Sequence, residues 1–129
     1  MDDVGVVRAA VDAFNRDDEE AAAELFHPEG HRIVPIRAAL EDTVFAGPEA
    51  WREFLAASRD AWSRISIELD EIRPCRGDRV LTLGRLAATA RDTGAEVATD
   101  CGFVYTLRDG LITEILTYTD PRDAVRAAE

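Results

Sequence analysis

The sequence predicts an α+β domain in which helices made early cover one face of an antiparallel sheet made late. Two observations carry this. Residues 96 to 119 alternate apolar and polar side chains, are interrupted once at Arg108-Asp109-Gly110 and stop at Asp120-Pro121, the pattern of a strand hairpin. The first 62 residues read almost wholly as helix, so the late sheet must be covered by early helices.

The elements follow in chain order. Val4, Val7, Val11 and Phe14 recur at helical spacing behind Asp2 and Asp3, which can cap an amino end, and predict a helix over residues 3 to 15. Asn15-Arg16-Asp17-Asp18 breaks it, and a second helix is expected from Glu19 to Phe26, ending at His27-Pro28. His31 to Leu40 reads as a short edge strand, because Pro35 cannot donate to a ladder. Gly47-Pro48 opens a third helix, with Trp51, Phe54, Leu55, Ser58 and Trp62 on one face. Ile65, Ile67 and Leu69 alternate before the turn Arg76-Gly77-Asp78, and Val80 to Ala90 forms a second long strand before Asp92-Thr93-Gly94. After the final hairpin, Asp120-Pro121 caps a short helix over residues 122 to 128.

With 129 residues the chain fits a single domain, residues 1–129, with a real core. Its net charge of −11 disfavours nucleic acid and anionic membranes, both of which require a basic face. All fifteen basic residues are Arg, which suggests codon bias before chemistry. With two cysteines, no hydrophobic segment after Met1 and no apolar run near the ~20 residues of a membrane span, the expectation is a reduced cytoplasmic protein.

Four segments carry a resemblance: Ala13-Phe14-Asn15 before an acidic turn, Leu25-Phe26-His27-Pro28, Phe45 to Leu55 reading FAGPEAWREFL, and Arg108 to Asp120 reading RDGLITEILTYTD. In this order and spacing the chain resembles the SnoaL-like branch of the nuclear transport factor 2-like superfamily. The resemblance implies a curved antiparallel (mixed) sheet wrapped around three helices, a cone with an interior pocket. It also implies a homodimer through the outer sheet face, with Thr106, Leu116 and Tyr118 at or near the contact. Enzymes and non-enzymes share such folds.

Residue by residue, the resemblance argues against the usual chemistries. Where ketosteroid isomerase-like proteins keep a tyrosine, a base and a second acid, this chain has Ala10, Val34 and a position near Phe103. Where SnoaL-like polyketide cyclases keep a last-strand carboxylate it has Thr117, and the Arg-x-Asp of limonene epoxide hydrolase-like proteins reads Arg85-Leu86-Ala87. None of Ala, Val, Phe and Thr is a proton carrier near neutral pH.

Hairpin geometry decides whether Glu114 could substitute. A two-residue loop, Asp109-Gly110, sets Phe103 and Tyr105 beside Glu114, Leu116 and Tyr118. A three-residue loop, Arg108-Asp109-Gly110, sets them beside Thr113, Ile115 and Thr117. The second is favoured, because the resemblance puts the positions of Phe103 and Thr117 on one face.

The leading expectation is therefore a cone binding a small, largely apolar molecule, with no cofactor and no metal. The expected wall is Phe14, Val34, Phe54 and Leu86 with Cys101, Phe103, Ile115 and Thr117; Arg32 could add a charge and Tyr105 a hydrogen bond. An empty interior of a few hundred Å³ would favour this reading, and a filled one an interaction module. An enzyme of SnoaL-like type using Arg32, His31, Tyr105 or Glu114 is the alternative. His27 is expected to be structural, at the end of its helix. Cys101, beside Asp100, reads as a small apolar filler, and Asp120 as a cap.

Overall fold

The computed structural model describes residues 1–35 and 44–129, so the expected strand from His31 to Leu40 lies outside the described residues beyond Pro35. Helix α1, Asp3–Asn15, starts where Asp2 Oδ1 accepts the Gly5 N–H at 2.8 Å. Asp18 likewise accepts from Ala21 at 3.1 Å and opens α2, Glu19–Ala23. Helix α2 is shorter than expected. Leu25 and His27 instead exchange backbone hydrogen bonds with Ile112, 2.9 Å each way, which draws the segment out of the helix.

Among the described residues six strands form one mixed sheet: β1 His31–Val34, β2 Phe45–Gly47, β3 Trp62–Cys75, β4 Arg79–Ala90, β5 Glu96–Arg108 and β6 Leu111–Tyr118. Their order is β2-β1-β6-β5-β4-β3, antiparallel except for the parallel pair β1 and β6. Strand β1 is not the expected edge. It ends at Val34, so Pro35 falls just past the ladder and β1 can sit between β2 and β6.

Helix α3, Ala50–Ala61, runs without a loop into β3, and Trp62, expected on the helix, is the first strand residue. Helices α1, α2 and α3 lie on the inner face, around a core that includes Val7, Phe26, Ile33, Trp51 and Leu55. Helix α4, Pro121–Ala128, capped by Asp120 on Arg122 N–H at 2.9 Å, covers part of the outer face over Leu81 and Val104. Gly102 permits this approach, since a Cβ there would lie 2.4 Å from Ala124 Cβ. Leu116 and Tyr118, expected at a contact between copies, pack against this outer cluster under α4.

The last hairpin departs from expectation in an instructive way. Its loop is the two-residue Asp109-Gly110, with φ of 57° and 76°, and Arg108 pairs with Leu111. A bulge follows at once: Leu107 pairs with Ile112 but Thr106 pairs with Glu114, leaving Thr113 as the extra residue. Thr113 Oγ1 donates to Thr106 O at 3.1 Å across the bulge. Its shift of one residue brings Phe103 opposite Thr117 and Tyr105 opposite Ile115, the faces expected, by another route. Cys75 and Cys101 are both free, and no described helix is long and apolar enough to cross a membrane.

Candidate functional site

Between the inner face of the sheet and the early helices lies a cavity of about 70 Å³, inside a total empty space of about 690 Å³ that takes in open solvent. The inner figure is the one to set against the roughly 300–1,000 Å³ of ordinary small-molecule sites. The interior is neither filled nor as large as expected.

Each element supplies its wall for a local reason. Helix α1 turns Ala10, Val11 and Phe14 inward at helical spacing, and α3 does the same with Trp51, Phe54 and Ser58. From β3 come Trp62, Ile65 and Ile67, and from β4 Leu86, which pairs across with Ile67. Strand β5 gives Phe103 and Tyr105, and β6 gives Ile115 and Thr117. Phe26, Ile33 and Pro35 complete the described wall. The aromatic side is tightly coupled: Trp51 stacks on Phe26 with ring centres 4.8 Å apart and makes a T-shaped contact with Phe14 at 6.1 Å.

No described residue of this wall carries a carboxylate, guanidinium or imidazole. Tyr105 is its one titratable group, and burial drives its phenol well above the ordinary value, with the Thr82 hydroxyl pulling weakly the other way. Among the described residues Thr82 Oγ1 nevertheless has no partner within hydrogen-bond geometry, and the indole nitrogens of Trp51 and Trp62 are likewise buried without one. Among the described residues no cluster of His, Cys, Asp or Glu could hold a metal ion.

Seven of the expected wall residues are brought together: Phe14, Phe54, Leu86, Phe103, Tyr105, Ile115 and Thr117. Three are not. In β1 the inward residue is Ile33, which shares its face with Ile115, so Arg32 and Val34 point the other way, beside Glu114 and Leu116. Arg32 Nη1 donates to Glu114 Oε2 at 3.0 Å, so two candidate catalytic groups pair with each other outside the cavity. Cys101 is fully buried but does not reach the wall, and burial first, then Asp100 and Asp70, pushes its thiol up to about 11. Of the four positions matched to the enzymes' proton carriers, Ala10, Phe103 and Thr117 line the cavity, and Ile33 takes the place expected of Val34.

Both histidines bond to backbone groups. His31 Nδ1 donates to His27 O at 3.1 Å and Nε2 accepts the Trp51 backbone N–H at 2.9 Å, which fixes the neutral ring. Burial holds its pKa below the ordinary value, against an upward pull from the His27 carbonyl and Glu49. His27 Nδ1 accepts the Glu29 N–H at 3.3 Å. The sequence reading missed Ile33 and Pro35 through the parity of a four-residue strand, and missed Phe26 by assigning it to a helix. Ile65 and Ile67 were legible as one face of β3, yet only the curvature of the sheet brings that face to the cavity.

The comparisons agree with this architecture. A family model described as a SnoaL-like domain matches residues 7–115. Similar solved structures include an NTF2-like protein of unknown function from Burkholderia pseudomallei, 19% identical with a TM-score of 0.79, the match covering 99% of this chain and 98% of that one. TerC, co-crystallised with polyporic acid, is 22% identical with a TM-score of 0.77, covering 98% and 96%. A protein from Jannaschia sp. CCS1 provisionally named a SnoaL-like polyketide cyclase is 20% identical with a TM-score of 0.74, covering 98% and 90%. At these identities the likeness concerns the fold alone. No curated protein matches the sequence. With 109 consecutive residues matched and the same fold in its structural neighbours, the chain belongs to the SnoaL-like domain family.

Proposed function

We propose that this cone binds a small, neutral, largely apolar molecule in its inner cavity. The supporting observation is the wall itself: seventeen described residues, aromatic and aliphatic in the main, without a carboxylate, guanidinium or imidazole among them. Such a surface favours an apolar occupant through the water it releases and penalises an ion, which would lose its hydration without gaining a countercharge. A cavity of about 70 Å³ suits a slim or flat molecule, and a larger one enters by displacing side chains. The presence of polyporic acid in TerC crystals and the provisional cyclase name of another neighbour lend support to a small organic ligand.

A thermal-shift screen tests this, because a ligand that binds the native state raises the melting temperature whether or not it reacts. Matched pairs make it specific: toluene against benzoate, naphthalene against naphthoate. The neutral members should raise the midpoint by several degrees at ~100 Kd, where linkage supplies about 2.7 kcal/mol, while the carboxylates do not. No shift from any neutral compound, or an equal shift from the carboxylates, overturns the reading.

A further inference from the structure

Phe26 and Trp51 line the inner cavity, and the same two residues line an outer crevice of about 200 Å³ whose walls also include His27, His31, Glu49 and Arg52. A move of either residue therefore changes the cavity. His31 holds this pair from the crevice side: its ring centre lies 4.9 Å from that of Phe26, Nε2 accepts the Trp51 backbone N–H at 2.9 Å, and Nδ1 donates to His27 O at 3.1 Å. A backbone N–H can only donate and a carbonyl can only accept, so both bonds exist together in one form alone, the neutral ring with its proton on Nδ1. A second proton, on Nε2, would set N–H against N–H across 2.9 Å. Either the imidazole or the Trp51 backbone must then move, and both are joined to the Phe26–Trp51 stack.

We propose that His31 is a proton-sensitive latch on the cavity: the neutral ring holds Phe26 and Trp51 in the wall that receives the ligand, a proton on His31 releases them, and proton and ligand therefore oppose each other. The inference rests on the ligand-binding reading and adds its regulation. A ligand binds only the fraction of molecules whose wall is in place, so releasing the wall weakens the apparent affinity by that fraction. The charged groups around the ring pull both ways. Among the described residues Glu49, just ahead of α3, favours the proton, the His27 ring and the amino end of α3 oppose it, and Arg52 of α3 lines the same crevice. Burial decides the balance: with His31 only 7% exposed, the neutral ring is the form present at neutral pH, and the latch is closed there.

Naphthalene, which carries no charge at any pH, is the probe. Its affinity should fall about five-fold or more as the pH drops through the titration of His31, the size of an ordinary coupling between two sites. The coupling is reciprocal, so saturating naphthalene should lower the His31 pKa by the logarithm of the same factor. The chain has two histidines, and their ring protons can be followed separately by NMR on the folded protein, assigned with His31→Gln. The glutamine amide can accept from the Trp51 N–H without titrating, so naphthalene affinity in this variant should not vary with pH. If naphthalene binds as tightly or more tightly in acid, leaves the His31 pKa in place, or loses affinity equally in His31→Gln, the latch is overturned while the binding reading stands. If it does not bind the wild-type protein at pH 7.5, both are overturned.

Discussion

His31 Nε2 accepts the backbone N–H of Trp51 at 2.9 Å, so an amide in the first turn of α3 is satisfied by a side chain from β1, twenty residues earlier. Glu49, at the ordinary cap position, makes no side-chain cap bond. The same ring packs on Phe26 at 4.9 Å, and Trp51 lies on the cavity wall. One neutral imidazole therefore fixes the entry of the helix that brings Trp51 and Phe54 to the aromatic wall.

Protonating His31 would turn its acceptor into a donor facing a donor and place a positive charge at a helix N-terminus. Its native pKa is depressed, so between that value and the unfolded value near 6.5 the unfolded chain binds the extra proton. Stability contributed by His31 is present above about pH 6.5, falls as the pH drops towards the native pKa, and levels off below it. Urea midpoints between pH 7.5 and 5 should fall accordingly. His31→Phe should flatten this slope and lower stability at pH 7.5 by about 1–3 kcal/mol through the orphaned Trp51 amide. An unchanged slope in the variant would assign the pH dependence to another group.

Asn15 should matter more than an exposed polar residue usually does. Its side-chain amide donates to Ile67 O at 2.8 Å and accepts the Ile67 N–H at 2.9 Å, acting as a one-residue strand against the outermost strand β3. Ile67 is part of the cavity wall, so the bond pair sets the position of that wall relative to α1. Asn15→Ala is expected to destabilise the fold by about 1–3 kcal/mol, two bonds of ordinary net value, and to speed amide exchange at Ile67 selectively. Asn15→Asp keeps the acceptor but sets a carboxylate against the Ile67 carbonyl, so it should be no better than Ala.

These two pairs show where the sequence is legible and where it is not. Caps are local, and Asp2 and Asp120 cap the helices their positions predict. Long strands carry their parity in many residues, which is why Leu86, Phe103, Ile115 and Thr117 reach the wall as expected. Strand β1 has four residues, and its inward face is decided by pairing with β6, a partner eighty-two positions away for Arg32. Nothing within His31-Arg32-Ile33-Val34 alone reports that pairing. The hairpin shows compensation: loop and bulge each shift the register, and the turn residues encode only the loop.

The Arg32–Glu114 pair should be dispensable for binding. Both side chains are partly exposed on the face opposite Ile33 and Ile115, and such pairs contribute about 0–1 kcal/mol. Arg32→Gln and Glu114→Gln should each change stability by less than about 1 kcal/mol and leave the affinity for neutral aromatic probes unchanged within two-fold. A larger loss of affinity in either variant, with the fold intact, would mean that one of these charges reaches the bound ligand.

Thr117 offers the most direct test of the cavity's character, because related cyclases are expected to hold a carboxylate there. Thr117→Glu would put an acid opposite Phe103 and near Tyr105 and Ile115, on a wall that offers no described cation. Desolvation should favour the neutral form and raise the new carboxyl about one to three pH units above its ordinary 4.3. A raised native pKa gives stability that is retained below the unfolded value and lost as the pH rises through the native one. The variant should therefore be least stable, relative to wild type, at neutral pH, and recover as the pH falls towards 4. The Thr117→Gln variant, which carries no charge, should show no such recovery. The pKa itself can be read from the side-chain carboxyl carbon by NMR. A value at or below 4.3 would mean that the wall supplies water or a positive charge to this position, and the apolar reading of the cavity would fail with it.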